Sequence, residues 1–194
     1  MPRSLPTVSF GPEVVKALLP QRPPMLMVDR IRGLDLAASP PRLLASRYVS
    51  ANEATVTGHF PQLGLVPGVI TVEGLAQAAG LLGRLADAAD RWRGDVLADL
   101  QNLEHGATLH AGFDRHAGRE FLDWLGSREL LHVVGATNIK LVRPIFPGCR
   151  LDHTVSLTRR LGLGYRFAVQ TEVDGVLVAE GTLGASTVEA AWPP

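Results

Sequence analysis

The sequence predicts one α+β domain in which antiparallel strands pack on a single long buried helix. Three observations support this. From Val69 to Ala89, the residues Val69, Ile70, Val72, Leu75, Ala76, Ala79, Leu82 and Leu85 cover most of a helical circumference, as in a buried helix rather than a surface one. Further on, Leu151, His153, Val155 and Leu157 alternate with Asp152, Thr154, Ser156 and Thr158, the period of a strand. Tyr165, Phe167, Val169, Thr171 and Val173 repeat that phase, and Asp174-Gly175 marks a two-residue hairpin before Val176 to Ser186 returns. A long helix against several such strands defines the α+β class.

The other elements follow in order. Gly11-Pro12 starts a short helix ending near Leu19, since proline is tolerated in a first turn. The prolines of LLPQRPPMLMVDRIRG exclude a helix, so Met25 to Ile31 reads as a strand and Gly33 to Pro41 as a loop. Arg42 to Val49 and Ala54 to Thr57 read as strands flanking a turn at Ser50 to Glu53. Gly74, Gly80 and Gly83 each cost the long helix about 1 kcal/mol against alanine. With Ala76, Ala78 and Ala79 they would let other backbone approach, as in a sheet wrapped around the helix. Gly162 and Gly164 suit a hairpin turn, because the pattern of a dinucleotide-binding loop is incomplete there. Between Asp90 and His132 the signals are mixed, and only Arg119 to Arg128 reads as a short helix.

Composition narrows the functional classes. The chain has 194 residues, enough for one domain with a good core and too few to expect two. A formal net charge of zero gives no whole-molecule attraction to nucleic acid or anionic lipid. The single cysteine, Cys149, cannot form an internal disulfide and suits a reducing cytoplasm. The opening MPRSLPTVSFGPEVV lacks the apolar core of a signal peptide, and no uninterrupted apolar run of membrane-spanning length occurs. A cytoplasmic protein is expected.

His59 and Glu73 stand fourteen positions apart in GHFPQLGLVPGVITVEGLAQAAG. A carboxylate in so apolar a helix costs several kcal/mol unless compensated. Catalysis is one explanation; a structural ion pair with Arg22, Arg30 or Arg47 is the other. Gln77 shares a helical face with Glu73, and Arg84 lies farther along roughly the same stripe. His105, His110 and His116 near Asp114 match no compact ligand spacing, so no metal is expected. Cys149 shows no partners for a nucleophile. Lys140, Arg143, Arg150, Arg159, Arg160 and Arg166 make the C-terminal third locally basic, either as scattered solvated charges or as a docking surface.

Those residues carry a resemblance. GHFPQLGLVPGVITVEGLAQAAG resembles the signature of the hotdog-fold 3-hydroxyacyl-[acyl carrier protein] dehydratases of the FabZ type. LLPQRPPMLMVDRI, NIKLVRPIFPGCRL and VDGVLVAEG are similar to further blocks of that family. The resemblance implies an antiparallel sheet wrapped around one central helix over residues 1–194, with an atypical insertion at about 90–132. It implies dehydration of 3-hydroxyacyl thioesters on an acyl carrier protein, in fatty-acid or related acyl-chain biosynthesis. The catalytic pair would be His59 as base and Glu73 as acid, meeting across a homodimer that could assemble further into a trimer of dimers. Gly68 and Val69 would bind the thioester oxyanion through backbone N–H groups, Gly68 leaving room for the thioester, and Gln77 would hold the Glu73 carboxylate. No organic cofactor is implied. Glu73, where double-bond-isomerising relatives carry aspartate, favours dehydration alone. Gln21 replaces the family's usual histidine, and Gln62 and Gly64 replace its glycine and proline. The longer segment after Gly83 is expected to cover the tunnel entrance. A hotdog acyl thioesterase and a non-catalytic acyl-binding subunit are the competing readings.

Overall fold

The computed structural model describes residues 5–107, 118–127 and 130–189. Seven antiparallel strands form one sheet: β1 (Thr7–Phe10), β2 (Arg30–Asp35), β3 (Arg42–Val49), β4 (Leu130–Leu141), β5 (Cys149–Leu161), β6 (Gly164–Val173) and β7 (Val176–Glu189). Their order across the sheet is β1-β2-β3-β5-β6-β7-β4. Among the described residues five helices accompany them: α1 (Pro12–Leu18), α2 (Ala54–Thr57), α3 (Gly68–Arg91), α4 (Val96–Ala107) and α5 (Arg119–Gly126).

The sheet wraps α3, so the expected hotdog architecture is observed. Leu75, Leu81, Leu82 and Leu85 of α3 have no accessible surface, each contributing about 2 kcal/mol through burial. Among the described residues, α3 alone would suit a membrane span by length and hydropathy, but this apolarity is accounted for by the sheet around it. Gly74 rests against β5: an added Cβ would stand 2.7 Å from His153 Nε2. The His153 ring makes the nearest approach that the glycine allows, and the Met27 carbonyl oxygen brings backbone to 3.4 Å of the same point. The hairpins fall where expected. Asp174 and Gly175 both have positive φ, 51° and 78°, as the tightest right-twisting turn requires. Leu161 pairs with Gly164 around a second turn.

Two segments depart from expectation. Residues 54–57 form a single helical turn, not a strand, because the Glu53 carbonyl accepts from the N–H groups of Val56 (2.9 Å) and Thr57 (3.0 Å). The strand expected from Met25 begins only at Arg30, and β2 continues to Asp35 into the expected loop. Met27 and Val28 are buried instead by crossing α3, where the Met27 N–H is taken by Gln77.

The segment after α3 adds α4, which the sequence reading left unassigned, and α5. Trp92, Phe121 and Trp124 form an aromatic cluster with centroids 5.2–6.3 Å apart. Glu104 of α4 accepts from the Gly11 N–H (2.6 Å) at the start of α1. Arg84 of α3 donates to the Leu125 carbonyl of α5 (3.1 Å). The described part of the segment therefore meets α3 at Arg84, three turns beyond Glu73.

Candidate active site

The loop before α3 fixes the histidine. His59 follows the α2 turn, its N–H donating to the Val56 carbonyl (3.2 Å). Leu65 then closes the loop twice: its N–H donates to the His59 carbonyl (3.2 Å) and its carbonyl meets His59 Nδ1 (3.2 Å). A carbonyl can only accept, so Nδ1 carries the proton and Nε2 of the neutral ring presents its lone pair. The half-buried ring leans on Phe60, with centroids 4.3 Å apart. The family's larger residue would fit at Gly64, since a Cβ there meets only Val56 (3.6 Å) and Pro147 (3.8 Å).

Gln77 fixes the carboxylate. It is 2% exposed, and its Oε1 accepts from the Met27 N–H (2.7 Å). That contact decides the amide's orientation, because only the oxygen can accept. Nε2 then spends one hydrogen on the Met25 carbonyl (2.6 Å) and the other on Glu73 Oε1 (2.8 Å). The arginines named above as alternative partners for Glu73 are engaged elsewhere. Arg22 donates to the carbonyls of Leu19 and Gln21, Arg30 meets Ser9 and Glu104, and Arg47 pairs with Glu53.

At the N-terminus of α3, the Ile70 N–H bonds to the Pro67 carbonyl (3.0 Å). Among the described residues no backbone acceptor serves Gly68 N–H or Val69 N–H, two of the orphan donors of a helix start. A Cβ at position 68 would stand 2.3 Å from Leu141 Cδ1, the tip of a half-exposed side chain at the end of β4. Val69 is 71% exposed.

Glu73 opens into a cleft of about 470 Å³, lined also by Gln77, Gly80, Arg84, the end of α1 and Val133 and Val134 of β4. His59 does not line it within one chain. No group of metal-binding side chains occurs among the described residues; His110, Asp114 and His116 lie outside them. Burial and nearby Asp174 push the Cys149 thiol up, which suits no nucleophile.

An antiparallel sheet wrapped around a helix that carries a hydrogen-bonded carboxylate near its start defines the hotdog class of acyl-thioester proteins. The comparisons narrow it. A FabA-like domain matches residues 19–102. The chain is 32% identical to the 3-hydroxyacyl-[acyl-carrier-protein] dehydratase FabZ of Erythrobacter litoralis, over 89% of each chain. It is 31% identical to the FabZ of Sinorhizobium medicae, over 91% of this chain and 88% of that one. The dehydratase heterocomplex ApeI:P of Xenorhabdus doucetiae shares the fold (TM-score 0.56, 15% identity, 91% of each chain). The chain belongs to the FabZ family of 3-hydroxyacyl-[acyl-carrier-protein] dehydratases.

Proposed function

We propose that this protein removes water from 3-hydroxyacyl thioesters carried by acyl carrier protein, giving trans-2-enoyl thioesters for acyl-chain biosynthesis in the cytoplasm. The observation that carries the proposal is the Glu73 carboxylate, held by a buried amide and facing a cleft long enough for an acyl chain. His59 Nε2 takes the proton from C2. The C2–H electron pair becomes the C2=C3 double bond, and the C3–O bond breaks as Glu73 gives its proton to the departing hydroxyl, which leaves as water. Proton return from His59 to Glu73 resets the site. Charge that builds on the thioester oxygen meets the N–H groups of Gly68 and Val69 and the positive end of α3.

A homodimer supplies the missing half of the site. β4 ends the sheet with an unpaired edge of 12 residues. Val133 (48%), Leu141 (51%) and Val142 (38%) are exposed there. A long apolar edge invites a second strand. Exposed Phe60, Leu63, Val69 and Phe146 cluster about the His59 loop and α3 entrance, so the same contact would bring one chain's His59 to its partner's Glu73. For the carrier protein, exposed Arg159 and Arg166 lie directly opposite each other on β5 and β6. Like charges so placed repel, which an acidic partner would relieve.

One assay tests the reading. Incubated with a 3-hydroxyacyl thioester, the protein should yield the 2-enoyl product, and with the enoyl thioester it should add water. Free thiol would instead indicate a thioesterase, and no product a binding subunit.

A further inference from the structure

The cleft at Glu73 is not apolar to its end. Glu73, Gly80 and Arg84 all face it from α3, and eleven residues of helical rise put Arg84 about 16 Å beyond Glu73. The wall between them is low. Ala76 and Gly80 are the small residues there, and nothing lies within 4 Å of where a Gly80 Cβ would stand. Leu18 and Leu19 from α1 and Val133 and Val134 from β4 form the other walls. An extended chain starting at Glu73 would slide past these apolar groups and end at a guanidinium.

That guanidinium is incompletely served. Arg84 Nη2 donates to the Leu125 carbonyl (3.1 Å), while its buried Nε has no hydrogen-bond partner among the described residues. Among the described residues no carboxylate makes an ion pair with it. Several other partly buried arginines are matched by acids, among them Arg47 by Glu53, and Arg160 by Asp87 and Asp90. Burial also disfavours the charged form of Arg84. A desolvated cation without a counter-charge is costly, and a leucine would serve the alkyl end of an acyl chain better. Gln21 lines the same cleft, and its buried Oε1 likewise has no partner.

We propose that Arg84 reads the far end of the acyl chain, and that the preferred substrates are 3-hydroxyacyl thioesters whose distal carbon is a carboxylate. This rests on the dehydratase reading above and narrows its substrate class. A carboxylate presents two oxygens in the plane of the guanidinium fork and supplies the missing counter-charge. A methyl end leaves the partly buried cation with no carboxylate partner among the described residues. Gly80 keeps the path open, so chain length is set by the distance between Glu73 and Arg84.

The test uses N-acetylcysteamine thioesters of 3-hydroxy acids in matched pairs over a length series, one member ending in methyl and the other in carboxylate. Wild-type protein should favour the carboxylate member by about tenfold or more in kcat/KM at the best length, the worth of one charged hydrogen-bonded contact. Arg84→Gln keeps an N–H donor for Leu125 and removes the charge, and should collapse that ratio to about one or below. Arg84→Lys should retain a preference for carboxylate, and thermal melting of both variants reports whether α5 remains docked. Wild type that favours the methyl member overturns the inference, as does an R84Q variant in which the ratio persists. Wild type that turns over neither member overturns the dehydratase reading and this inference with it.

Discussion

Replacing Gln77 with leucine removes three hydrogen bonds from one buried point. The variant is nearly isosteric, so little cavity opens, and the loss is electrostatic. The Met27 N–H (2.7 Å) and the Met25 carbonyl (2.6 Å) lose their partner at a site only 2% exposed. Each stranded group costs about 1–3 kcal/mol, partly offset by leucine's apolar burial, so folding stability should fall by about 3 kcal/mol. The Glu73 carboxylate also loses its 2.8 Å donor. A hydrogen bond to a charged group is worth about 1.5–3 kcal/mol, so kcat/KM should fall roughly tenfold to a hundredfold on the folded fraction. Urea unfolding measures the first effect and enoyl formation the second, with concentrations corrected for folded protein. A stability loss under about 1 kcal/mol together with unchanged kcat/KM would refute the view that Gln77 holds both the 25–27 segment and the acid.

Other perturbations separate structural from functional groups. His153 is fully buried, and burial, followed by the charge of Arg47, lowers its pKa to about 4. The unfolded chain binds this proton near pH 6.5 and the folded chain does not, so stability falls as pH drops from about 6.5 toward 4. Urea titrations should show about 2 kcal/mol lost from this group between pH 7 and pH 5, and His153→Gln should flatten that slope. Arg160 contacts Asp87 Oδ1 (2.7 Å) and Asp90, and its guanidinium lies 5.6 Å from the Tyr165 ring centroid. Arg160→Ala should therefore cost about 3 kcal/mol by leaving Asp87 buried beside one fewer cation. Arg159→Ala, on the exposed face, should stay within about 0.5 kcal/mol, while Arg159→Glu should slow turnover of carrier-bound substrate more than of a short thioester.

The long helix was legible because its apolar residues cover most of its circumference, a pattern that an enclosing sheet explains. The β5–β7 strands were legible because their alternation is strict and Asp174-Gly175 permits one kind of turn. Ala54 to Thr57 misled because Thr and Val favour strands, and four residues are too few for a period to correct that preference. Met25 to Ile31 misled differently: its apolar run is buried by crossing α3, not by joining a ladder, and its partner Gln77 lies 50 residues away. For α4 the signal was present. Val96, Leu100 and Leu103 keep helical spacing, and Asp95 Oδ1 accepts from the N–H groups of Leu97 and Ala98. Interleaved Asp99 and Glu104 obscured it. At the site, the residues His59, Glu73 and Gln77 could be named from spacing and resemblance. The loop closure at Leu65 that selects the His59 tautomer could not, because it depends on a contact that spacing along the chain does not encode.

A mixed dimer tests the shared site most directly. One copy carries His59→Ala and the other Glu73→Gln, with different tags so that only the heterodimer is purified. If each site draws its imidazole and its acid from different copies, one of the two sites is intact, and the mixed dimer should show about half of wild-type turnover while both parent homodimers show none. A mixed dimer as inactive as its parents would mean that each chain builds its own site, contradicting the account.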